Sequence, residues 1–389
     1  MHKLHLEDHF ALGEGTLPKL RLNSPADGWF PALRKLRWTI EISTLPYVDL
    51  CLSPHLKTIR IHSGFVDKTK TPRDFPRTVA STISTLPTST LRSLHVDISH
   101  MPWAYLKHSL PSLVLRCGSS LTKFACPTTL SDAAINHLAH LPNLRYWNTT
   151  DPPLNYSNSP LPLPLTFPPL TQFYVAGDAG FSWISLFGRL ATGVPGVQAL
   201  TRIRESLKEL CVGNFDSDPI IDVSFVSPIQ MFHNLTFLNV VTGCPNNRCA
   251  FELDDHNVAE LTAALPCLAA LYLGFPCSRN TCATTITCLL WISVRCLELE
   301  DLVIHFNTAN IVEDFKRVST DLRFERPRSL PRCPLQILEV FETPLTLDEP
   351  SLEIVANGMV DTFPSLGCCK GSEEWQDLSK RIKELQKLT

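Results

Sequence analysis

FPALRKLRW (Phe30–Trp38) carries the phrase that decides the fold: an apolar residue, a proline, then Leu-x-x-Leu-x-Leu or a close substitute. It returns as SPHLKTIRI (Ser53–Ile61), STLRSLHV (Ser89–Val96), LPNLRYW (Leu141–Trp147), FPPLTQFYV (Phe167–Val175) and ESLKELCV (Glu205–Val212). It continues as HNLTFLNV (His233–Val240), LPCLAALYL (Leu265–Leu273), LELEDLVI (Leu297–Ile304) and CPLQILEV (Cys333–Val340). Self-similarity at roughly 23 to 37 residues marks a stack of supersecondary units, each unable to bury its apolar face alone. The last two apolar residues of each phrase alternate at period two, so both point to one side of a short strand. Leu94 and Val96, Leu210 and Val212, and Leu271 and Leu273 are such pairs.

Strands stacked in this way make a parallel sheet, and parallel neighbours need crossovers, usually helical. Ser131–Asp132 opens a helix over Leu130–Leu141 with Ile135, Leu138 and Leu141 on one face. Asp254–Asp255 opens one over Leu253–Leu265 with Val258, Leu261 and Leu265 aligned. Asp348 opens one over Leu347–Phe363 with Leu352, Val355 and Met359 aligned. A polar cap before an i, i+3, i+7 apolar stripe is the signature of such helices, and the proline that follows Leu141, Leu265 and Phe363 ends them. The predicted fold is α/β: a leucine-rich-repeat solenoid (horseshoe) with its parallel sheet on the concave face and helices or irregular crossovers on the convex face. About eleven full repeats are legible, with a partial one at Met1–Leu6. The predicted division is an irregular solenoid over residues 1–371, interrupted by a Pro-rich loop at about 151–169, and a C-terminal capping helix over 372–389. In that helix Trp375, Leu378, Ile382, Leu385 and Leu388 share one face.

With 389 residues, 44% apolar and 19% charged, the chain can bury a large core. A formal charge of −3 offers no global attraction to nucleic acid or to acidic membranes. The apolar run around Leu261–Phe275 is broken by Pro266 and is shorter than the roughly 20 residues a membrane span needs. The first residues, MHKLHLEDHF, contain no apolar signal core. Fourteen cysteines, several at apparent core positions such as Cys211, Cys288 and Cys296, fit reduced buried thiols rather than a disulfide scaffold. The sequon at Asn234 falls inside a predicted strand. Together these give a cytoplasmic or nuclear expectation.

The segments LSDAAINHLAHLPNLRYW, LDDHNVAELTAALPCLAALYLGFPCSRNTC and IHFNTANIVEDF resemble the repeat region of the F-box and leucine-rich-repeat proteins expanded in basidiomycete fungi. In that family an F-box docks a cullin–RING ubiquitin ligase through its adaptor, and the repeats hold the substrate. The resemblance covers roughly Trp29 to Trp375, the repeat region only. No F-box pattern, an L-P-x-E-[IL]-L-like helix, precedes the first repeat, so an adaptor partner is implied only if an F-box lies upstream. The resemblance implies a non-enzymatic protein-recognition scaffold of the substrate-receptor type; the alternative is a stand-alone repeat scaffold or inhibitor with no part in ubiquitination.

The residue between the two inward-facing apolar positions of each strand, and the one two before it, face the concave side. The candidate partner-binding set is Lys35, Arg37, Arg60, His95, Tyr146, Tyr174, Phe237, Asn239, Tyr272, Asp301 and Glu339. The early strands present bases, the middle ones aromatics, and the late ones acids. That gradient suits a protein partner with an acidic segment and an apolar anchor; no nucleic acid or membrane partner is expected. Cys244 and Cys249 follow Leu235 at the same offsets at which Cys277 and Cys282 follow Leu268. Four thiols stacked in this way could bind zinc or pair as disulfides, but equivalent loops with free thiols are the leading explanation of the spacing. His137 and His140 sit three apart near a helix end, with no further ligand nearby in sequence. There is no G-x-S-x-G, Walker loop, G-x-G-x-x-G or H-E-x-x-H, so neither catalysis nor a cofactor is expected.

Overall fold

The structure is a computed structural model of the full chain, and it describes residues 3–6, 29–40, 45–63, 74–97, 109–126, 130–149, 168–176, 202–213, 220–241, 250–274, 282–319, 332–340 and 345–388. Two compact units are present, Met1–Gln172 and Phe173–Thr389.

In the first unit the repeated phrases become parallel strands β1 (Lys3–Leu6), β2 (Lys35–Ile40), β3 (Thr58–Ser63), β4 (Ser93–Asp97), β5 (Lys123–Cys126) and β6 (Tyr146–Thr149), hydrogen-bonded in chain order. In the second, β7 (Gln172–Ala176), which begins at the boundary between the units, precedes β8 (Glu209–Gly213). A short β9 (Ile220–Ile221) then comes before β10 (Phe237–Val241), and a short β11 (Ala250–Phe251) before β12 (Ala270–Gly274). Next come β13 (Asp301–Ile304), β14 (Ile337–Val340) and β15 (Cys368–Lys370). The ladder of that unit runs β7-β8-β10-β12-β13-β14-β15, while β9 and β11 pair as a separate two-stranded sheet. Each unit is therefore an α/β leucine-rich-repeat solenoid.

Register follows the phrase without slippage. Lys35 pairs with Thr58, Thr58 with Ser93, Ser93 with Lys123 and Lys123 with Tyr146. Glu209, Phe237, Ala270, Asp301, Ile337 and Cys368 form the corresponding row of the second unit. One backbone device repeats at each rung: two consecutive N–H groups share a carbonyl of the previous repeat. Arg92 and Ser93 donate to Lys57 O, Arg145 and Tyr146 to Thr122 O, Ala269 and Ala270 to Thr236 O, and Gly367 and Cys368 to Gln336 O. Polar side chains in the preceding turn brace the same step, as Thr122 Oγ1 does on Arg92 O at 2.8 Å and Ser120 Oγ on Leu91 O at 2.7 Å. Asn234 lies in such a turn, ahead of β10 rather than within it. It is exposed, and its amide donates to Glu205 O at 2.8 Å. The phrase begins two residues before its strand, which is why the sequence placed Asn234 one element too late.

The crossovers carry α1 (Phe75–Thr85), α2 (Ser109–Leu115) and α3 (Asp132–Ala139) in the first unit. The second has α4 (Val223–Val226), α5 (Asp255–Ala264), α6 (Thr287–Arg295), α7 (Ile311–Ser319), α8 (Glu349–Thr362) and α9 (Glu373–Gln386). The expected caps hold. Ser131 accepts from Ala134 N, Asp254 forms a reciprocal capping box with Asn257, and Asp348 accepts from Ser351 N, each satisfying an otherwise orphaned donor. Val258, Leu261, Val355 and Met359 are buried as expected, whereas Leu352 is half-buried. Strand residues such as Trp38, Ile61, Val96, Trp147, Leu210, Leu238 and Leu302 complete the two cores from the sheet side. Gly274, at the end of β12, has φ 138°, a backbone conformation that an L side chain rarely adopts.

The chain from Ser372 onward forms α9, whose Trp375, Leu378 and Ile382 are buried; Leu385 is half-buried, and Leu388, expected on the same apolar face, is 83% exposed. This helix lies on the outer edge of β15: the Cys369 N–H, pointing away from β14, donates to Ser379 Oγ at 3.1 Å. Gln386 Nε2 donates to Pro364 O and Leu366 O, both at 3.0 Å, and Arg381 ties α9 to Glu353 of α8 at 2.6 Å. No described helix is long and apolar enough to cross a membrane.

Candidate protein-interaction face

Alternation along most strands sends every second side chain to the core and leaves its neighbours on an open face, although Ala125 of β5 and Val303 of β13 are buried in that outward row. In β2 the pattern is exposed Lys35, buried Leu36, exposed Arg37, buried Trp38. In β3, Ile59 and Ile61 are buried while Arg60 is exposed. In β4, Leu94 and Val96 are buried and Ser93, His95 and Asp97 are half-exposed. In-register pairing then sets Arg37 beside Arg60 and Arg60 beside His95, one strand spacing apart. Lys35, Arg37, Arg60 and Lys123, with Thr58 and Ser93 between them, line a shallow open depression of about 410 Å³. Among the described residues its lining carries these four cations and no carboxylate. Tyr146 and Asn148 continue the rows on β6, with the asparagine amide 3.4 Å from the phenol oxygen.

The predicted residues of the second unit are brought together differently. Tyr174 donates its phenol proton to Glu209 Oε2 at 2.5 Å, and Tyr272 donates to Asp301 Oδ2 at 2.5 Å. Phe237 meets the Tyr272 ring edge-on, with centroids 5.3 Å apart. The bond to Asp301, followed by burial, pushes the Tyr272 phenol up to about 12. Phe237 and Tyr272 are thus packed on one another, and both tyrosines are bonded to neighbouring acids. Asn239 lies between Cys211 and Tyr272 in register, and Glu339 reaches Lys370 of β15 at 3.7 Å. The acidic end therefore carries a counter-cation that sequence reading missed along with its strand. His62 and Asp97 were missed too, because β3 and β4 run beyond the last residue of the phrase. Period-two alternation was the available signal: His62 lies two residues past the outward-facing Arg60, and Asp97 two past the outward-facing His95.

The thiols follow burial. Desolvation pushes Cys51, Cys117, Cys296 and Cys369 up to about 12 and holds the fully buried Cys288 well above its ordinary range. Cys211 does not sit in the core as expected: it occupies an outward position of β8, half-buried, and burial with the nearby Glu209 carries it to about 12. Of the four thiols expected to stack, Cys244, Cys249 and Cys277 lie outside the described residues. Cys282 is buried, its Sγ 3.4 Å from His305 O, and burial raises it to about 11. His137 and His140 are held by backbone carbonyls, Cys117 O at 2.9 Å and Asn136 O at 2.7 Å. The Pro-rich loop over 151–167 also lies outside the described residues.

No family model and no curated relative matches the chain. Among solved structures, a chain in the crystal structure of the Rad7 and Elc1 complex in yeast is similar, at 18% identity and a TM-score of 0.45. The likeness covers 82% of this chain and 72% of that one. The fold assignment rests on the ladder's own pairing and burial.

Proposed function

We propose that this chain is a non-enzymatic protein-recognition scaffold that holds its partner on the open face of its strand ladder, in the manner of the substrate-binding repeats of an F-box ubiquitin-ligase receptor. The observation that carries the reading is the cluster of exposed Lys35, Arg37, Arg60 and Lys123 around one depression. Four clustered cations favour a partner that brings negative charge, so an acidic segment of a protein is the occupant this face fits. The tyrosines of the second unit, bonded to Glu209 and Asp301, place apolar rings beside negative charge, which suits an anchor of mixed character.

The test is affinity capture by the full-length chain from cells that express it, comparing wild type with the triple variant Arg37→Glu, Arg60→Glu, Lys123→Glu. The partner recovered with wild type should drop about tenfold or more with the variant, and its capture should weaken with added salt. Unchanged recovery would remove the open face as the binding surface. Cullin and adaptor subunits in the wild-type capture separate the ligase-receptor role from a stand-alone scaffold.

A further inference from the structure

We propose that His62, His95 and Asp97 form a binding site for a divalent transition metal ion of the zinc class on the open face of the first unit.

The three residues come together through register alone. His62 of β3 pairs directly with Asp97 of β4, and His95 lies two residues before Asp97 on the same face of the same strand. His62 Nδ1 stands 3.9 Å from Asp97 Oδ2, the two imidazole rings are 5.3 Å apart and tilted by 40°, and one donor atom from each residue lies within 4.8 Å of the other two. Among the described residues this is the cluster of histidine, cysteine and carboxylate side chains with that closeness.

Two imidazoles and one carboxylate are the donor set of an open three-ligand site, and borderline-soft ions of the zinc type prefer them. Around an ion with bonds of about 2.0–2.1 Å, tetrahedral donors stand about 3.3 Å apart. The donors here stand 3.9 Å apart for His62 and Asp97 and within 4.8 Å overall, up to about 1.5 Å beyond that spacing, and rotation of half-exposed side chains covers the difference. At 3.9 Å the His62–Asp97 contact lies within ion-pair range but beyond hydrogen-bond length, and it leaves the position of His95 unaccounted for. A pair of adjacent imidazoles is also a poor place for two protons. Burial first, and then His62, hold His95 below its ordinary range, with Arg60 acting the same way and Asp97 opposing. Neutral imidazole is the ligand form. Arg60, in register with His95, opposes any cation, while Asp97 supplies the one formal negative charge to offset it. Three protein donors leave a fourth position open toward solvent, where water or a side chain from a bound protein can complete the shell.

The probe is Co²⁺ titrated into the chelator-treated full-length chain, read by visible absorption, with Zn²⁺ competition for affinity. Wild type should develop d–d bands of a low-coordinate nitrogen–oxygen site, without the thiolate charge-transfer band that a cysteine ligand gives. His95→Gln and the nearly isosteric Asp97→Asn should each weaken that signal's affinity by about tenfold or more. Their thermal unfolding in metal-free buffer should match wild type, while the rise in melting temperature with Zn²⁺ seen for wild type should be lost. A wild-type chain without these bands, or one whose bands and Zn²⁺-dependent stabilisation persist in both variants, overturns the site. A spectrum dominated by thiolate charge transfer does so as well, by moving the metal to cysteines.

Discussion

Replacing Trp38 by alanine is expected to remove about 3–5 kcal/mol of folding stability, the range for truncating a fully buried aromatic side chain. Trp38 is 0% exposed on β2, at a rung where the strand pairs on both sides, so neighbouring backbone cannot collapse into the vacated volume. Arg37 is adjacent in sequence but faces the other way. Arg37→Ala should change stability by no more than about 0.5 kcal/mol, as at most surface positions. Urea unfolding followed by far-ultraviolet circular dichroism reads both. Similar losses from the two substitutions would mean that the alternation on which the open face depends is wrong.

Trp375→Ala should cost a similar amount in the second unit, about 3–5 kcal/mol, and with a second symptom. The indole is 0% exposed, meets Phe306 edge-on with centroids 5.8 Å apart, and packs so closely on Gly371 that a Cβ there would lie 2.9 Å from the ring. It anchors the helix whose Ser379 occupies the outward N–H of β15. Loosening that helix uncovers an unpaired strand edge, a template for pairing with another chain. Light scattering coupled to size-exclusion chromatography should therefore show concentration-dependent association of Trp375→Ala and of a chain ending at Gly371. A variant that associates no more than wild type and is as stable would show that α9 does not protect the edge.

What could be read in the sequence was the part written at short range. Leu94/Val96 and Leu271/Leu273 specify side and register at once, because a one-residue slip would turn both members of each pair into solvent. Ser131, Asp254 and Asp348 announce helix starts through a side-chain oxygen placed three residues before a donor. Other elements were hidden by composition. In α1, TVASTIST is rich in β-branched residues and reads as strand, although Val79, Ile83 and Leu86 are buried at helical spacing. In α6, TCLLWISVR is apolar nearly all round and shows no stripe, as a buried helix does. β15 was lost because Cys369 and Gly371 stand where the two inward apolar residues usually do, yet FPSL (Phe363–Leu366) repeats the opening of FPALRKL. At the open face, the rows could be read off the phrase. What those residues touch could not, because Tyr174–Glu209 and Tyr272–Asp301 pair side chains from different repeats. The histidine–aspartate cluster needed the true length of β3 and β4, which the phrase understates.

The central claim is that one side of the first unit's strands is a continuous solvent-facing surface and the other a sealed core. Single cysteines placed at Ile59, Arg60, Leu94 and Lys123, reacted with a soluble maleimide and quantified at each site by peptide mass spectrometry, test it most directly. The native thiols that burial holds at about 12 contribute a slow background. Arg60→Cys and Lys123→Cys should react at nearly the rate of the urea-unfolded chain, and Ile59→Cys and Leu94→Cys about a hundredfold more slowly or less. Equal rates at all four positions, or fast labelling at 59 and 94 with protection at 60 and 123, would contradict the account.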